Sequence, residues 1–389
     1  MILEKMNRRS KMNVLIFLDE LYNKDEKFYY SKFNAGNFLC ELSNTYNLKF
    51  AVPVSTQIEK HKNTQIEESR VIDLGEWDSL ISYLKNYFTN NKNIKTRLDK
   101  EIENSDIVWL RYPSIPGIKI AKLCIKKDKP MIIHVAGDIS KAYENKKYSG
   151  IKKVVAYILG IYMKKQTYNI LKNKNAKVTF LCTGSKLEKD FKKDDTQFFI
   201  DNELNPDFNH EKINKNKKFL YVGRLVEEKG IKMLVDSWNK INRDIELNIV
   251  GHGKLDQYIE NAAKDNSNIK YHGFKGGDEL KKLYKDCDCL IMPSITSEGF
   301  PRVITEAWCN GLNVISSDVG GIKGIGKDLE NLLLFNPGDE IDMIEKIRLI
   351  VDDATINEKL SENINTTAQY VSKDNMIHII KSNIEKYRK

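Results

Sequence analysis

The 389-residue chain is long enough for two domains, and its composition, 41% hydrophobic and 30% charged, is typical of a globular protein. Its 63 Lys and Arg against 54 Asp and Glu give a net charge of +9, which suits nucleic acid, an anionic membrane or a phosphorylated substrate and selects none of them. The six cysteines form neither a C-x-x-C pair nor a zinc spacing, which argues against a disulfide framework and favours a reduced, cytoplasmic setting.

The first apolar run, residues 14–18, follows a basic segment and imitates a signal peptide. The run is too short for that role and ends at Asp19 and Glu20, so we interpret it as the first strand of a parallel sheet. The sequence leaves open whether the natural start is Met1 or Met12.

Further strand-like runs at residues 49–54, 107–110 and 131–135 alternate with helical stretches, which predicts a parallel sheet covered by helices. Gly36 lies in the loop after the first strand, His134 at the end of a later one, and Asp138 just beyond it. The structural alternatives are a helix-entry turn for Gly36, a backbone-bonded histidine, and a helix cap for Asp138.

Residues 145–177 contain nine lysines and no acidic residue. The uninterrupted apolar part is about half of the ~20 residues that a membrane span needs, so a basic amphipathic helix lying on an anionic bilayer is the better interpretation. The alternative is a solvated basic helix whose apolar stripe belongs to an ordinary core. The absence of a recognisable nucleic-acid-binding module argues against nucleic acid as the partner. The apolar stripe has helical spacing and consists of Ile151, Val154, Val155, Ile158, Leu159 and Tyr162. The predicted membrane contacts are Lys146, Lys147, Lys152, Lys153, Lys164 and Lys165.

Residues 201–217 are polar and contain Pro206, so we predict a linker there. It would separate a first domain, residues 1–200, from a second domain, residues 218–371. Residues 372–389 form a basic helical tail.

The second domain is predicted to be another alternating α/β unit, with strands at residues 219–223, 245–250, 269–272, 288–293, 313–317 and 332–335. Arg224 follows the first of these strands, and Lys229 precedes a helix predicted at residues 231–241. Both would lie beside helix-start N–H groups, a combination suited to a diphosphate.

Two motifs in this half invite other interpretations that the context disfavours. The glycine pair at Gly251 lacks the third glycine of a dinucleotide fingerprint, and no acid follows the next strand, so NAD binding is not expected. Asp286-Cys-Asp288 leads into a strand rather than a loop, so we expect no essential metal. Cys287 and Cys289 are interpreted as buried apolar residues.

The segment Ser297-Glu-Gly-Phe-Pro-Arg-Val-Ile-Thr-Glu306 separates two carboxylates by seven residues. Pro301 suits the first position of a helix, which would place Glu298 in the loop after a strand and Glu306 just over one turn into the helix. That edge of an open α/β sheet is the ligand crevice. Two acceptor-only side chains there suit a hydroxyl-rich ligand, such as a sugar or a ribose.

This segment resembles the E-x7-E signature of retaining glycosyltransferases of family 4. The resemblance extends to Tyr221-Val-Gly-Arg-Leu-Val-Glu-Glu-Lys-Gly230 and to residues 250–253, 272–274 and 318–321, in the family's order. It implies the GT-B fold, an α/β architecture of two Rossmann-like doubly wound domains facing a central cleft, with the last helix returning to the first domain. Lys323 and Gly324 depart from the family, which usually has Pro and Glu there.

The resemblance also implies roles for individual residues. Arg224 and Lys229 would bind the nucleotide's phosphates and stabilise the negative charge that develops on them, Glu298 would contact the donor sugar and Glu306 would hold the ribose. His134 would touch the donor sugar as a fourth member of the catalytic set. Gly36 and Asp138 would contact the acceptor, although Ala35 replaces a glycine that the family often has. The remaining donor contacts would be Gly223, Gly251, Gly299, Phe300, Pro301 and Arg302.

The activity that this resemblance implies is transfer of a hexosyl or N-acetylhexosaminyl group, with retention, from a UDP- or GDP-sugar, without another cofactor. The acceptor would be a glycan or a lipid-linked glycan at the cytoplasmic face of the membrane, in cell-surface polysaccharide or glycolipid synthesis. Two alternatives stay open: a nucleotide-sugar epimerase of the same architecture, and a non-catalytic partner subunit.

Overall fold

The computed structural model describes residues 11–55, 64–137, 150–192, 195–207, 217–296 and 300–388. The chain divides into two compact units. The first contains the described residues of Met1–Thr183, Leu187–Asp201 and Ile377–Lys389, and the second those of Gly184–Lys186 and Asn202–Met376. The main division therefore falls between residues 201 and 202, and the C-terminal residues pack with the first unit. Residues 208–216 of the predicted linker lie outside the described residues.

The first unit is built on a seven-stranded parallel sheet with the strand order β11-β10-β9-β8-β1-β4-β7. The order reverses between β1 and β8, which makes their carboxyl ends the switch point of this sheet. Its strands are β1 (Asn13–Phe17), β4 (Asn47–Val52), β7 (Val71–Asp73), β8 (Ile107–Tyr112), β9 (Met131–Val135), β10 (Val178–Cys182) and β11 (Gln197–Phe198). The helices of this unit are Ala35–Cys40, Leu80–Lys85, Tyr87–Asn104, Ile115–Lys126, Gly150–Lys172 and most of Ser185–Asp190 and Lys373–Glu385.

A smaller four-stranded sheet in the first unit was missed by the sequence analysis. It consists of β2 (Tyr22–Asp25), β3 (Phe28–Ser31), β5 (Val54–Ser55) and β6 (Thr64–Glu67), in the order β5-β2-β3-β6. The β2–β3 hairpin turns through Glu26 and Lys27, and Glu26 has φ of 45°. Hairpin turns of this length are usually marked by Gly or Asn, so these residue types gave no signal.

The second unit contains a six-stranded parallel sheet in the order β14-β13-β12-β15-β16-β17. This is the 3-2-1-4-5-6 order of a doubly wound Rossmann sheet, and the switch point lies between β12 and β15. The strands are β12 (Lys218–Val222), β13 (Glu246–Val250), β14 (Ile269–Tyr271), β15 (Cys289–Met292), β16 (Asn313–Ser317) and β17 (Leu333–Phe335). The helices are Ile231–Trp238, Asp256–Asp265, Gly277–Asp286, Arg302–Cys309, Glu340–Asp352 and Ala354–Tyr370.

Both sheets are buried on two faces, which explains why their strands are nearly continuous runs of apolar residues. In the second unit, Phe219 and Leu247 on the sheet pack in one core cluster with Trp238 and Ile347 from helices. Cys287 and Cys289 are buried, as predicted, and all six cysteines are free.

Candidate functional site

The loops that follow β12 and β13 are tied together by backbone hydrogen bonds. The Gly223 N–H donates to the Val250 carbonyl at 3.0 Å, and the Leu225 N–H donates to the His252 carbonyl at 3.1 Å. Gly251 has φ of 152°, and a Cβ at this position would lie 1.8 Å from the Gly223 carbonyl oxygen. The two glycines predicted to approach a donor therefore also allow these loops to pack closely.

A second glycine contact joins the loops on either side of the switch point. Gly230 has φ of 69°, and a Cβ there would lie 1.8 Å from the Pro293 carbonyl oxygen. The Ile295 N–H donates to the Glu228 carbonyl at 3.0 Å. Gly230 thus lets the start of helix Ile231–Trp238 lie against the loop that follows β15.

Arg224 and Lys229 lie on the loop between β12 and this helix. Arg224 is exposed and forms no ion pair with another described residue, and the Tyr221 hydroxyl donates to its carbonyl oxygen at 2.9 Å. Lys229 is half-buried and ends the short 3₁₀ helix Glu227–Lys229 immediately before Gly230. Two cations beside a helix start at the carboxyl edge of the sheet form an arrangement suited to phosphate groups.

Glu306 is a half-buried residue of helix Arg302–Cys309, which follows β15. Its Oε2 accepts a hydrogen bond from the Tyr284 hydroxyl at 2.8 Å. Tyr284 is 2% exposed, and burial together with the Glu306 carboxylate raises the pKa of Tyr284 well above its usual value. The tyrosine therefore holds the carboxylate in place as a neutral donor. Sequence reasoning missed Tyr284 because nothing in helix Gly277–Asp286 indicates which residue of another helix it contacts.

The stretch predicted to contact the donor begins with Glu298 and Gly299, which lie outside the described residues. Phe300 is buried, with its ring centroid 5.9 Å from that of Trp308. Pro301 is the N-cap of the helix, which begins at Arg302, so the predicted start was one residue early. Because Pro301 has no N–H group, it cannot be one of the backbone donors predicted between Gly299 and Arg302. The Arg302 guanidinium lies 3.8 Å from the Glu203 carboxylate, and its buried Nε has no hydrogen-bond partner.

The segment that departs from the family pattern forms a local ion pair. Lys323 Nζ lies 2.5 Å from Asp318 Oδ2. At the start of β15, Asp288 Oδ2 accepts the backbone N–H groups of Lys217 and Lys218 at 3.1 and 3.0 Å. This carboxylate therefore anchors the edge of the sheet. Among the described residues, no group of three or more His, Cys, Asp or Glu side chains could hold a metal ion.

In the first unit, His134 is 2% exposed and lies in the core. Its Nε2 is 3.0 Å from the Thr183 hydroxyl, which donates to the Phe199 carbonyl at 2.8 Å, so the histidine is the donor of the first bond. Its ring packs edge-on against Phe199 at 4.8 Å. Burial lowers the pKa of His134 to about 3, and the nearby Arg111 acts in the same direction. This placement favours a neutral, structural histidine over one at an open crevice.

The two predicted acceptor residues differ in what the structure describes. Gly36 lies inside helix Ala35–Cys40, and a Cβ there would lie 2.3 Å from the Tyr22 hydroxyl and 2.8 Å from Thr64 Cγ2. Close packing against the small sheet therefore accounts for this glycine. Asp138 lies outside the described residues.

The lysine-rich segment forms helix Gly150–Lys172. Lys153 and Lys165 are exposed, whereas Lys164 lies 3.5 Å from Asp190. Lys146, Lys147 and the Lys152 side chain lie outside the described part. No helix that the structure describes is long and apolar enough to cross a membrane. The large apolar side chains exposed on this helix are Ile151, Val154, Val155, Tyr157, Ile158, Ile161 and Tyr162. A buried core stripe, the alternative interpretation of this pattern, is therefore wrong for most of these residues.

Residues 204–367 match the sequence profile of the family Glycosyl transferases group 1. Three curated proteins are similar to the chain. An uncharacterized glycosyltransferase of Methanocaldococcus jannaschii is 29% identical over 73% of this chain and 74% of its own length. Protein CapJ of Staphylococcus aureus is 29% identical over 74% and 73%. The capsular polysaccharide biosynthesis glycosyltransferase CapM of Staphylococcus aureus is 26% identical over 49% and 50%.

Among solved structures, Anabaena HepE in complex with UDP superposes with a TM-score of 0.66. The superposition covers 96% of this chain and 100% of that protein, at 14% identity. Together with the two parallel sheets, this likeness confirms the predicted fold class, α/β with two Rossmann-like domains of the GT-B type.

These comparisons support a group 1 glycosyltransferase. The prediction made from Arg224, Lys229 and Glu306 is thus confirmed at the level of a glycosyltransferase. Assignment to family 4, the retaining outcome, the sugar class and the individual residue roles stay predictions.

Proposed function

We propose that this protein is a retaining glycosyltransferase that moves a hexosyl or N-acetylhexosaminyl group from a nucleotide-sugar to a glycan or lipid-linked acceptor. One observation carries the proposal. Arg224 and Lys229 flank the start of helix Ile231–Trp238 at the switch point of the second sheet, and the helix that follows the neighbouring strand presents Glu306. Cations suited to a diphosphate and a fixed carboxylate suited to a ribose thus come from the two strands that flank one crevice.

The proposed chemistry is electrostatic. Arg224 and Lys229 bind the diphosphate and stabilise the charge that grows on it as the bond from the anomeric carbon to the phosphate oxygen breaks. The acceptor hydroxyl attacks from the same face of the sugar, and its proton passes to an oxygen of the leaving phosphate. The new glycosidic bond therefore keeps the anomeric configuration, and the chain supplies no covalent nucleophile.

The relatives bear on the donor and on the pathway. Anabaena HepE was solved with UDP, which supports testing uridine nucleotides first, with GDP-sugars second. CapM is named as a capsular polysaccharide biosynthesis glycosyltransferase, which supports a role in cell-surface polysaccharide synthesis.

The donor can be identified by calorimetry with a panel of UDP-, GDP-, ADP- and TDP-sugars, followed by NMR of slow hydrolysis. One donor should bind and release its free nucleoside diphosphate, and the anomer of the released sugar should match that of the donor. Binding should be lost in Glu306→Ala and in Lys229→Ala. A matched control is Glu279→Ala, because Glu279 is an exposed carboxylate paired with Lys275 on helix Gly277–Asp286.

Three outcomes would contradict this proposal. If no donor binds, the transferase assignment fails. If a nucleotide-sugar is epimerised without transfer or hydrolysis, the epimerase alternative is correct. If Glu306→Ala and Lys229→Ala bind the donor as tightly as the Glu279→Ala control, the roles assigned to these residues are wrong.

We further propose that the protein works at the inner face of the cell membrane, held there by helix Gly150–Lys172. The exposed isoleucines, valines and tyrosines of this helix suit the acyl boundary of a bilayer, and exposed Lys153 and Lys165 suit anionic headgroups. Sedimentation with vesicles should show binding to anionic lipid and weaker binding to zwitterionic lipid.

The double variant Ile158→Ser/Ile161→Ser should reduce this vesicle binding about tenfold or more, because two exposed apolar side chains would no longer enter the lipid. Phe88→Ser is the control, since Phe88 is 87% exposed on a different helix of the same unit. Equal binding by the double variant and the control would refute the membrane assignment.

A further inference from the structure

The first unit has its own cavity at the carboxyl edge of its parallel sheet, with a volume of about 550 Å³. It lies between the loops that follow β1 and β7 on one side and the small four-stranded sheet on the other. Ligand pockets of proteins typically measure about 300–1,000 Å³, so this cavity is large enough for a small ligand. Its Asp19 and Glu20 follow β1, which borders the switch point of this sheet.

The lining of this cavity is mainly acidic. Asp19, Glu20, Glu76 and Asp78 contribute four carboxylates, and Lys32 is the one basic residue among the lining residues. The Phe33 ring also lines it and is 43% exposed. An anionic ligand would meet four like charges here, whereas a ligand that offers hydroxyl or amino groups would meet acceptors.

Three of the four carboxylates are fixed by hydrogen bonds within the protein. Asp19 accepts from the Trp77 indole at 2.6 Å and from the Ser114 hydroxyl at 2.7 Å. Glu76 accepts from the Ser55 hydroxyl at 2.6 Å, and Asp78 accepts from the Ser82 hydroxyl at 2.7 Å. The acidic lining is therefore organised before any ligand binds.

Glu20 is different because one of its oxygens has no partner. The residue is 9% exposed, its Oε1 lies 3.5 Å from Arg111 Nε, and its buried Oε2 accepts no hydrogen bond. Arg111 is also held by Asp201 at 2.8 Å. A buried acceptor without a donor is costly and rare, so an unpartnered oxygen on the wall of a cavity points to a ligand that supplies the donor.

We propose that this cavity binds a sugar of the acceptor that carries no negative charge, and that Glu20 Oε2 accepts a hydrogen bond from one of its hydroxyl or amino groups. The inference rests on the proposed function, because it takes the glycan acceptor as the ligand. Phe33 offers an apolar surface to the ring of the sugar, and the surrounding carboxylates exclude uronates and phosphorylated sugars.

The test is NMR saturation transfer with three probes: cellobiose, a glucosamine disaccharide and a disaccharide ending in glucuronate. Cellobiose, the glucosamine disaccharide or both should bind, and the glucuronate probe should bind about tenfold more weakly or not at all. Glu20→Leu should weaken binding about tenfold or more, because the acceptor is lost. Glu103→Gln is the control, since Glu103 is an exposed carboxylate whose partner Lys127 also contacts Asp99.

Phe33→Ser is the second variant, and it decides the question if Glu20→Leu does not fold, because Phe33 is largely exposed. It should weaken sugar binding about threefold or more, since the apolar contact is lost. The proposal is overturned if neither uncharged nor amine-bearing probe binds, if the glucuronate probe binds equally well, or if both variants bind like the control.

Donor calorimetry on the same samples separates this inference from the proposed function. A donor that binds while no sugar probe binds refutes only the cavity assignment. Sugar binding that depends on Glu20 without binding of any donor refutes the transferase proposal and leaves a sugar site in the first unit.

Discussion

Replacement of Tyr284 by phenylalanine tests whether a buried hydroxyl positions Glu306. The substitution keeps the ring in the core and deletes one hydrogen bond, 2.8 Å long, to the Glu306 carboxylate. A hydrogen bond to a charged group contributes about 1.5–3 kcal/mol when both groups are desolvated. Because Glu306 is only half-buried, we expect a loss of about 1–2 kcal/mol in the free energy of unfolding.

The effect on the donor should follow from side-chain freedom. Without the tyrosine hydroxyl, Glu306 can occupy other rotamers, and ordering such a side chain on binding costs about 0.5–1.5 kcal/mol. Donor affinity should therefore fall about two- to tenfold, well short of the loss expected for Glu306→Ala. Urea denaturation and calorimetry measure the two quantities on the same preparation.

Two comparisons make this prediction sharp. Tyr258→Phe is the matched control, because its hydroxyl also donates to a carboxylate, that of Asp236, in an exposed part of the same unit. It should change stability by less than about 0.5 kcal/mol and leave donor affinity unchanged. In a Glu306→Ala background, Tyr284→Phe should cost less than in the wild type, because the acceptor has already been removed. Wild-type stability and donor affinity in Tyr284→Phe would refute the positioning role.

Three further predictions concern stability. Gly230→Ala should destabilise the protein by about 3 kcal/mol or more, because its Cβ would overlap the Pro293 carbonyl; Gly338→Ala, with φ of 78° and open space around it, should cost only about 1–2 kcal/mol, and equal losses would contradict the packing argument. Burial raises the pKa of Glu20 to about 7 against the opposing Arg111, with Asp201 and Asp19 adding to the rise. The wild type should therefore lose stability as pH rises from about 4.5 to 7, and Glu20→Gln should gain up to about 3 kcal/mol relative to it between pH 4 and pH 8. The pKa of His134 is lowered, so its stabilising effect is lost as pH falls below about 6.5, and His134→Phe should gain up to about 3 kcal/mol relative to the wild type between pH 6.5 and pH 4. Denaturation series across pH check both, and a pH-independent difference in either variant would show that its group does not titrate as described.

Much of the fold could be predicted from local patterns. The strands Met131–Val135 and Asn313–Ser317 agree with the predicted ranges residue for residue, and the other strands of the second sheet agree to within one residue at each end. Buried parallel strands are continuous apolar runs, and such runs are visible in a single sequence. The small sheet was missed because its strands are short, half-exposed and joined by an unmarked turn.

The candidate site was predictable only in part. Arg224, Lys229 and Glu306 were found because their residue types and spacing form motifs that do not depend on distant contacts. Whether the apolar stripe of helix Gly150–Lys172 faces a core or solvent was not decided by its periodicity, because both surroundings select the same spacing. Only the structure shows that most of the stripe is exposed.

The sequence by itself determined the alternation of strands and helices, the two-domain length and the motif residues of the second unit, because these depend on chemistry within a few residues. The tertiary structure decided which distant residues meet. Tyr284 reaches Glu306 across 22 positions and Arg111 reaches Asp201 across 90, and both contacts depend on the order in which strands join a sheet. The same strand order places Gly230 against Pro293 and Glu20 beside Arg111, because packing brings together residues that no local pattern connects.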